Sequence, residues 1–190
     1  MGIAPTREIS GQLLIKFDMY ILPPPQHLLL RCSVYPTVQS PYRHLVDKIL
    51  MTLRSQGGIK ALLGIVRCGH PDVLSQVARG IANFAKCESR ASNQGIKSGR
   101  SFLIEDGALL WMVQNANNEV ASIRRHIELA LCHMAQHEVN AKDMISGGAL
   151  LELVQISRGC LREDIRSLAR RTLSSISTFK SELRSLRMDY

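Results

Sequence analysis

Glycine followed by a short apolar stretch and then by a longer amphipathic one recurs three times between residues 58 and 176, and this recurrence limits the chain to very few folds. The short stretches are Gly58–Leu63, Gly107–Met112 and Gly148–Leu153. The longer ones carry apolar residues at i, i+4 and i+7: Val77, Ile81 and Phe84, then Ile127, Leu131 and Met134, then Ala169, Leu173 and Ile176. That spacing puts one buried stripe on an α-helix. The glycines are 49 and 41 residues apart and the stripe ends 50 and 42, so two independent markers give the same period to within one residue.

Helical repeats of about 40 to 47 residues characterise armadillo and HEAT arrays, in which a unit buries its apolar face only by stacking on its neighbours. The expected fold is all-α, an armadillo/HEAT-type right-handed helical solenoid of about three repeats. Its surplus of residues in the first interval is assigned to a polar loop from Ser89 to Ser101. Residues 1–48 hold Pro23, Pro24, Pro25, Pro36 and Pro41, which no helical period survives, and read as an irregular leader. Residues 49–180 form the repeat domain and 181–190 a C-terminal tail. An array this short is expected to show apolar surface at its N-terminal end, around Leu50, Leu53 and Leu62.

Composition removes several function classes. Twenty-four basic residues against 16 acidic ones give a net charge of +8, but most cations are isolated or stand near acids, as Arg124 does near Glu128 and Arg166 near Glu163. That pattern argues against nucleic acid as the partner, and aromatic residues at 5% supply few stacking platforms for bases. Apolar runs are too short for a membrane span, the longest N-terminal one being broken by Lys16 and Asp18. Cys32, Cys68, Cys87, Cys132 and Cys160 show no paired Cys-x-x-Cys spacing and read as reduced core thiols of a cytosolic protein.

The run Val73–Arg90 resembles the armadillo repeats at the C-terminal tail of plant armadillo-repeat kinesins. Ile123–Glu138, Arg162–Leu173 and the end Leu183–Tyr190 are similar to the same tail in the same order. The resemblance covers about residues 50–190 and implies a protein-docking role in microtubule-based processes, with microtubules or tubulin and NIMA-related kinases as partner classes. It also implies a cytoplasmic, cytoskeletal location. The alternative is a fragment of a functional kinesin ATPase whose motor is missing from this chain. A motor needs Gly-x-x-x-x-Gly-Lys-Ser/Thr to cradle phosphates, and the nearest stretch, Gly95–Ser101, is one residue short with Arg100 where lysine belongs.

No cofactor, metal or catalytic constellation emerges, so an enzyme is not expected. His133 and His137 stand at i, i+4 without a third ligand and read as surface histidines of a helix. The polar sides of the closing helices form the expected concave face. In copy alignment Arg79, Asn83 and Lys86 match Leu129, His133 and Gln136, and Arg171 and Ser175 follow in the third copy. Importin-type proteins hold basic peptides with tryptophan and asparagine at two of these positions. Arg79 stands where that tryptophan would be, so the face is expected to prefer an acidic or phosphorylated segment.

Overall fold

A computed structural model describes residues 52–95 and 97–188. The chain divides between Gly58 and Ile59 into two units, and of the first only residues 52–58 are described. The leader, Leu50 and Cys32 lie outside the described residues.

Among the described residues the chain is all-helical. Helices α1 (Gly58–Ile65) and α2 (Pro71–Asn93) close the first copy. The second contains α3 (Phe102–Glu105), α4 (Ala108–Gln114) and α5 (Ala121–Ala135). The third contains α6 (Glu138–Ser146), α7 (Ala149–Gly159) and α8 (Glu163–Ser175), and α9 (Ser177–Ser185) follows. Helix α9 runs across residue 180, where the sequence reading divides the repeat domain from a tail.

One turn is built the same way in each copy. Gly57, Gly107 and Gly148 have φ of 68°, 84° and 83°, a left-handed conformation that costs glycine nothing. Each donates its N–H to the carbonyl three residues earlier: Gly57 to Arg54 at 2.9 Å, Gly107 to Ile104 at 3.1 Å and Gly148 to Ile145 at 3.0 Å. The preceding residue donates four back, as Gln56 does to Thr52, Asp106 to Phe102 and Gly147 to Asp143. The next helix then starts. The recurring glycine of the first copy is therefore Gly57, not Gly58, and the 50 residues from Gly57 to Gly107 now equal the 50 between Phe84 and Met134. Arg187, at φ 53°, repeats the turn after α9 with the same two hydrogen bonds, Arg187 to Arg184 and Leu186 to Glu182.

The stripes form the core. Val77, Ile81, Phe84, Ile127, Leu131, Met134, Ala169 and Leu173 are at most 2% exposed. Full burial of one such larger side chain contributes about 1.5–3 kcal/mol, and truncating Leu131 to alanine would cost about 2–5 kcal/mol. Ile176 is buried too, but it is the extended residue joining α8 to α9 and not part of a closing helix. Leu53, expected on an exposed end, is buried, and Leu62 is half-buried.

Pro71 at the first turn and Asp72 beside it start α2, where a missing N–H costs nothing and a carboxylate meets the helix dipole. This helix continues through Asn93, so residues 89–93 are helical and the loop begins only at Gln94. The reason lies in the apolar phase, which persists past Phe84 to the buried Ala91.

Short opening helices are tied to one another by polar side chains. Asn140 of α6 accepts the Ser101 N–H at the start of α3 at 2.9 Å and donates to the Met134 carbonyl at 2.8 Å. Glu138 of α6 accepts the Ser177 and Thr178 N–H groups at the start of α9, both at 2.9 Å, and both hydroxyls as well. Hydrogen bonding, led by the Thr178 hydroxyl, holds the Glu138 carboxyl below its usual range.

Candidate docking face

Helices α2 and α5 lie side by side, with alanines at 78, 82 and 85 on one and 130 on the other buried and letting the backbones approach. They run parallel with a constant offset. Ser75 donates to the Ser122 hydroxyl at 2.9 Å, 47 residues on, and Ser89 meets His137 Nε2 at 2.9 Å, 48 residues on. Between these ends the charge of Arg79 acts on His126 and that of Lys86 on His133, again 47 residues apart. A half-buried seam of hydroxyls, cations and imidazoles therefore follows the two helices.

The structure distributes the residues expected on the concave face unevenly. Arg79, Asn83, Lys86, Leu129, His133 and Gln136 are all half-buried on α2 and on α5 or its cap. Copy alignment matches Arg79 with Leu129 and Asn83 with His133, but neighbours in space are three residues out of that alignment, so Arg79 stands by His126 and Lys86 by His133. Gln136 and His133 Nδ1 are 3.0 Å apart. Arg171 and Ser175 are exposed on α8, and the Ser175 hydroxyl donates back to the Thr172 carbonyl at 3.3 Å. Sequence reasoning missed Arg90, Arg125, His126 and Arg162. The constant offset of parallel helices is the signal that finds them, and it is a spatial one.

Electrostatics along the seam are uniformly positive. Burial lowers the His126 pKa first, and Arg125, Arg79 and Arg162 lower it further. His133 is pushed down to about 4 by burial, then by Lys86, Arg90 and His137. His137 is lowered by burial and Lys97, while its hydrogen bond with Ser89 works the other way. These imidazoles are neutral at pH 7, and the charge of the seam belongs to its lysine and arginines. Histidines 133 and 137 are thus half-buried participants rather than surface residues, and His137 caps α6 from an extended conformation.

At the C-terminal end of α2 the segment assigned from sequence to a polar loop is pinned. The Glu88 carboxylate accepts the Phe102 N–H at 2.7 Å and the Ser101 hydroxyl, and Lys97 Nζ lies 3.3 Å from it. Lys97 also donates to the Arg100 carbonyl at 2.8 Å and lies 4.4 Å from the centre of the Phe102 ring. The cavity between Glu88, Lys97, Ser101, His137 and Asn140 holds about 10 Å³, room for one water at most. It is a structural network with no space for a ligand. Among the described residues no group of three His, Cys, Asp or Glu side chains is disposed to hold a metal.

Charges elsewhere are arranged partly as expected. Glu163 and Arg166 form an ion pair, whereas Arg124 donates to the Asn118 carbonyl at 2.8 Å and Glu128 accepts the Cys160 thiol at 3.2 Å. Cys132 and Cys160 are buried, but Cys68 is exposed and Cys87 only half-buried, so not every thiol is in the core. No described helix is long and apolar enough to cross a membrane.

Comparison with known proteins adds strong matches, all of them to plant kinesin-like proteins. Over 131 residues, 69% of this chain, it is 77% identical to "Kinesin-like protein KIN-UB" of Arabidopsis thaliana, and the match spans 15% of that protein. It is 75% identical over 129 residues, 68% of the chain, to "Kinesin-like protein KIN-UA" of the same plant, covering 14% of it. "Kinesin-like protein KIN-UB" of Oryza sativa subsp. japonica is 74% identical over 130 residues, 68% of the chain and 15% of that protein. About two thirds of this chain is therefore similar to one segment of plant kinesin-like proteins. The chain spans only about 15% of the length of these relatives. No protein-family model matches the chain, and no solved structure matches it significantly.

Proposed function

We propose that this chain is a non-catalytic docking module of armadillo type, equivalent to the segment it shares with plant kinesin-like proteins, and that it holds protein partners in microtubule-based processes. The observation that carries this reading is the recurring left-handed turn at Gly57, Gly107 and Gly148, followed each time by a short helix and then a longer one. The same turn also ends α2 at Gly95, but at Gly57, Gly107 and Gly148 a helix starts at the next residue, and repeats spaced by 50 and 41 residues with a short opening helix and two further helices suit a right-handed armadillo stack.

In such a stack α2, α5 and α8 line the concave face, and the set Arg79, Asn83, Lys86, Leu129, His133, Gln136, Arg171 and Ser175 belongs to it. Support for a kinesin-linked role comes from the names of the relatives, and the sequence has no phosphate-cradling loop that would make this segment a motor. Microtubules or tubulin and NIMA-related kinases are the partner classes, and the cytoskeleton of the cytoplasm the place of action. Co-sedimentation of the full chain with polymerised tubulin across a salt series tests the reading. Pelleting at physiological salt is expected, and its absence even at low salt removes direct microtubule docking.

A further inference from the structure

The seam between α2 and α5 combines three features: concentrated positive charge, three cations (Lys86, Arg90 and Arg125) that no described carboxylate pairs with, and a regular spacing. Lys86 and Arg90 act together on His133, while Arg79, Arg125 and Arg162 act together on His126. Nearby acids are committed elsewhere. Glu88 is held by Lys97 and the start of α3, Glu128 accepts the Cys160 thiol, and Asp164 takes Arg162 through two bonds of 3.0 and 2.6 Å. No carboxylate of the described residues pairs with Lys86, Arg90 or Arg125.

Spacing sets the shape of the partner. Arg79 and Lys86 are seven residues apart on α2, and His126 and His133 seven apart on α5, which is about 10.5 Å along a helix. A polyproline-type extended chain advances ~3.1 Å per residue with three residues per turn, so side chains three apart share one face at about 9.3 Å. Two acidic residues separated by two others would reach both clusters at once. Arg79 and Lys86 are half-buried, so ion pairs formed there are less screened than at an open surface, while the exposed Arg90 and Arg125 flank them from solvent.

We infer that the α2/α5 seam binds an extended, carboxylate-rich segment of a partner protein, with one acidic side chain held by Arg79 and Arg125 and another, about three residues away, by Lys86 and Arg90. This rests on the docking-module reading and names the chemistry of its partner.

The test uses the full chain and a fluorescently labelled peptide of about twelve residues with glutamate at every third position, followed by anisotropy at low and physiological salt. Saturable binding is expected, with loss when glutamine replaces glutamate. Binding is expected to weaken roughly tenfold or more in Lys86→Glu/Arg90→Glu and in Arg125→Glu, but not in Lys142→Glu, an exposed residue of α6. Milder Lys86→Gln/Arg90→Gln, checked by circular dichroism, keeps the result readable if charge reversal disturbs the fold. Failure of the wild type to bind, equal weakening by Lys142→Glu, or equal binding of duplex DNA with matched charge overturns the inference. Tubulin pelleting without peptide binding removes the acidic-segment seam alone, whereas loss of both removes the docking reading beneath it.

Discussion

Glu88 and Lys97 meet at 3.3 Å with their side chains only 5% and 7% exposed, a buried ion pair that fastens the loop after α2 to the start of α3. Breaking such a pair from one side leaves a buried charge without its counter-ion and costs about 3–5 kcal/mol. Glu88→Ala also removes the acceptor for the Phe102 N–H, so it is expected to fall in that range by urea denaturation. Replacing both with methionine should recover much of the loss. If Glu88→Ala unfolds at the wild-type midpoint, the pair is not structural.

His133 makes stability depend on acid. Its folded pKa is about 4, below the ordinary value of 6.5, because of burial and the charges of Lys86 and Arg90 from α2 and His137 from the α5–α6 junction. The unfolded chain therefore binds the proton more readily, and stability present above pH 6.5 is lost as pH falls from 6.5 towards 4. The loss is up to about 2 kcal/mol after allowance for partial solvent screening. Because His126 and His137 are lowered as well, they add to the same slope. His133→Gln should flatten it, and an NMR titration placing His133 near 6.5 would remove the effect.

Much of the helical framework was legible from sequence because burial leaves a periodic mark. The eight stripe residues on helices, from Val77 to Leu173, are buried because apolar spacing is set directly by helix geometry, and Ile176 is buried as the extended residue that follows them. The phase of the first copy was one residue off, because two adjacent glycines leave open which one is left-handed. Only the hydrogen bonds select Gly57. Lys97 and Ser101 looked like solvated loop residues because their partners, Glu88 and Asn140, are 9 and 39 residues away. The seam was half legible: Arg79, Asn83 and Lys86 of α2 and His133 of α5 were named, but Arg90 was not, and which of them are neighbours follows from helix offset, which copy alignment does not contain.

Cysteine reactivity should divide by position. Cys68 is exposed at the end of the short 3₁₀ turn Val66–Cys68, while Cys132 is buried and its thiol pushed far up by burial, with Cys160 and Glu128 adding to the shift. A thiolate is the reactive form, so a maleimide at neutral pH is expected to label Cys68 within minutes and Cys132 only after denaturation. Peptide mapping by mass spectrometry reads this directly. Equal labelling of the two in native buffer would mean that the α5 core opens freely.

The left-handed turns give the sharpest test of the repeat, because the same conformation occurs with and without glycine. Alanine at Gly107 or Gly148 places a Cβ where φ is 84° or 83°, and a left-handed L-residue costs about 1–2 kcal/mol. Neither position is crowded: nothing lies within 4 Å of a Cβ at Gly107, and at Gly148 the nearest atom is Val113 Cγ1 at 3.7 Å, so the penalty is conformational. At Gly147 the cause differs, since a Cβ there lies 2.8 Å from Leu109 Cδ2. Arg187 already bears that conformational cost at φ 53°, so Arg187→Gly should be neutral or stabilising by up to about 1 kcal/mol, offset by the greater freedom of glycine in the unfolded chain. Chemical denaturation of Gly107→Ala, Gly148→Ala and Arg187→Gly compares them. Destabilisation by Gly107→Ala and Gly148→Ala, with none by Arg187→Gly, is expected if these turns share one conformation, and a stabilising Gly148→Ala would break the equivalence.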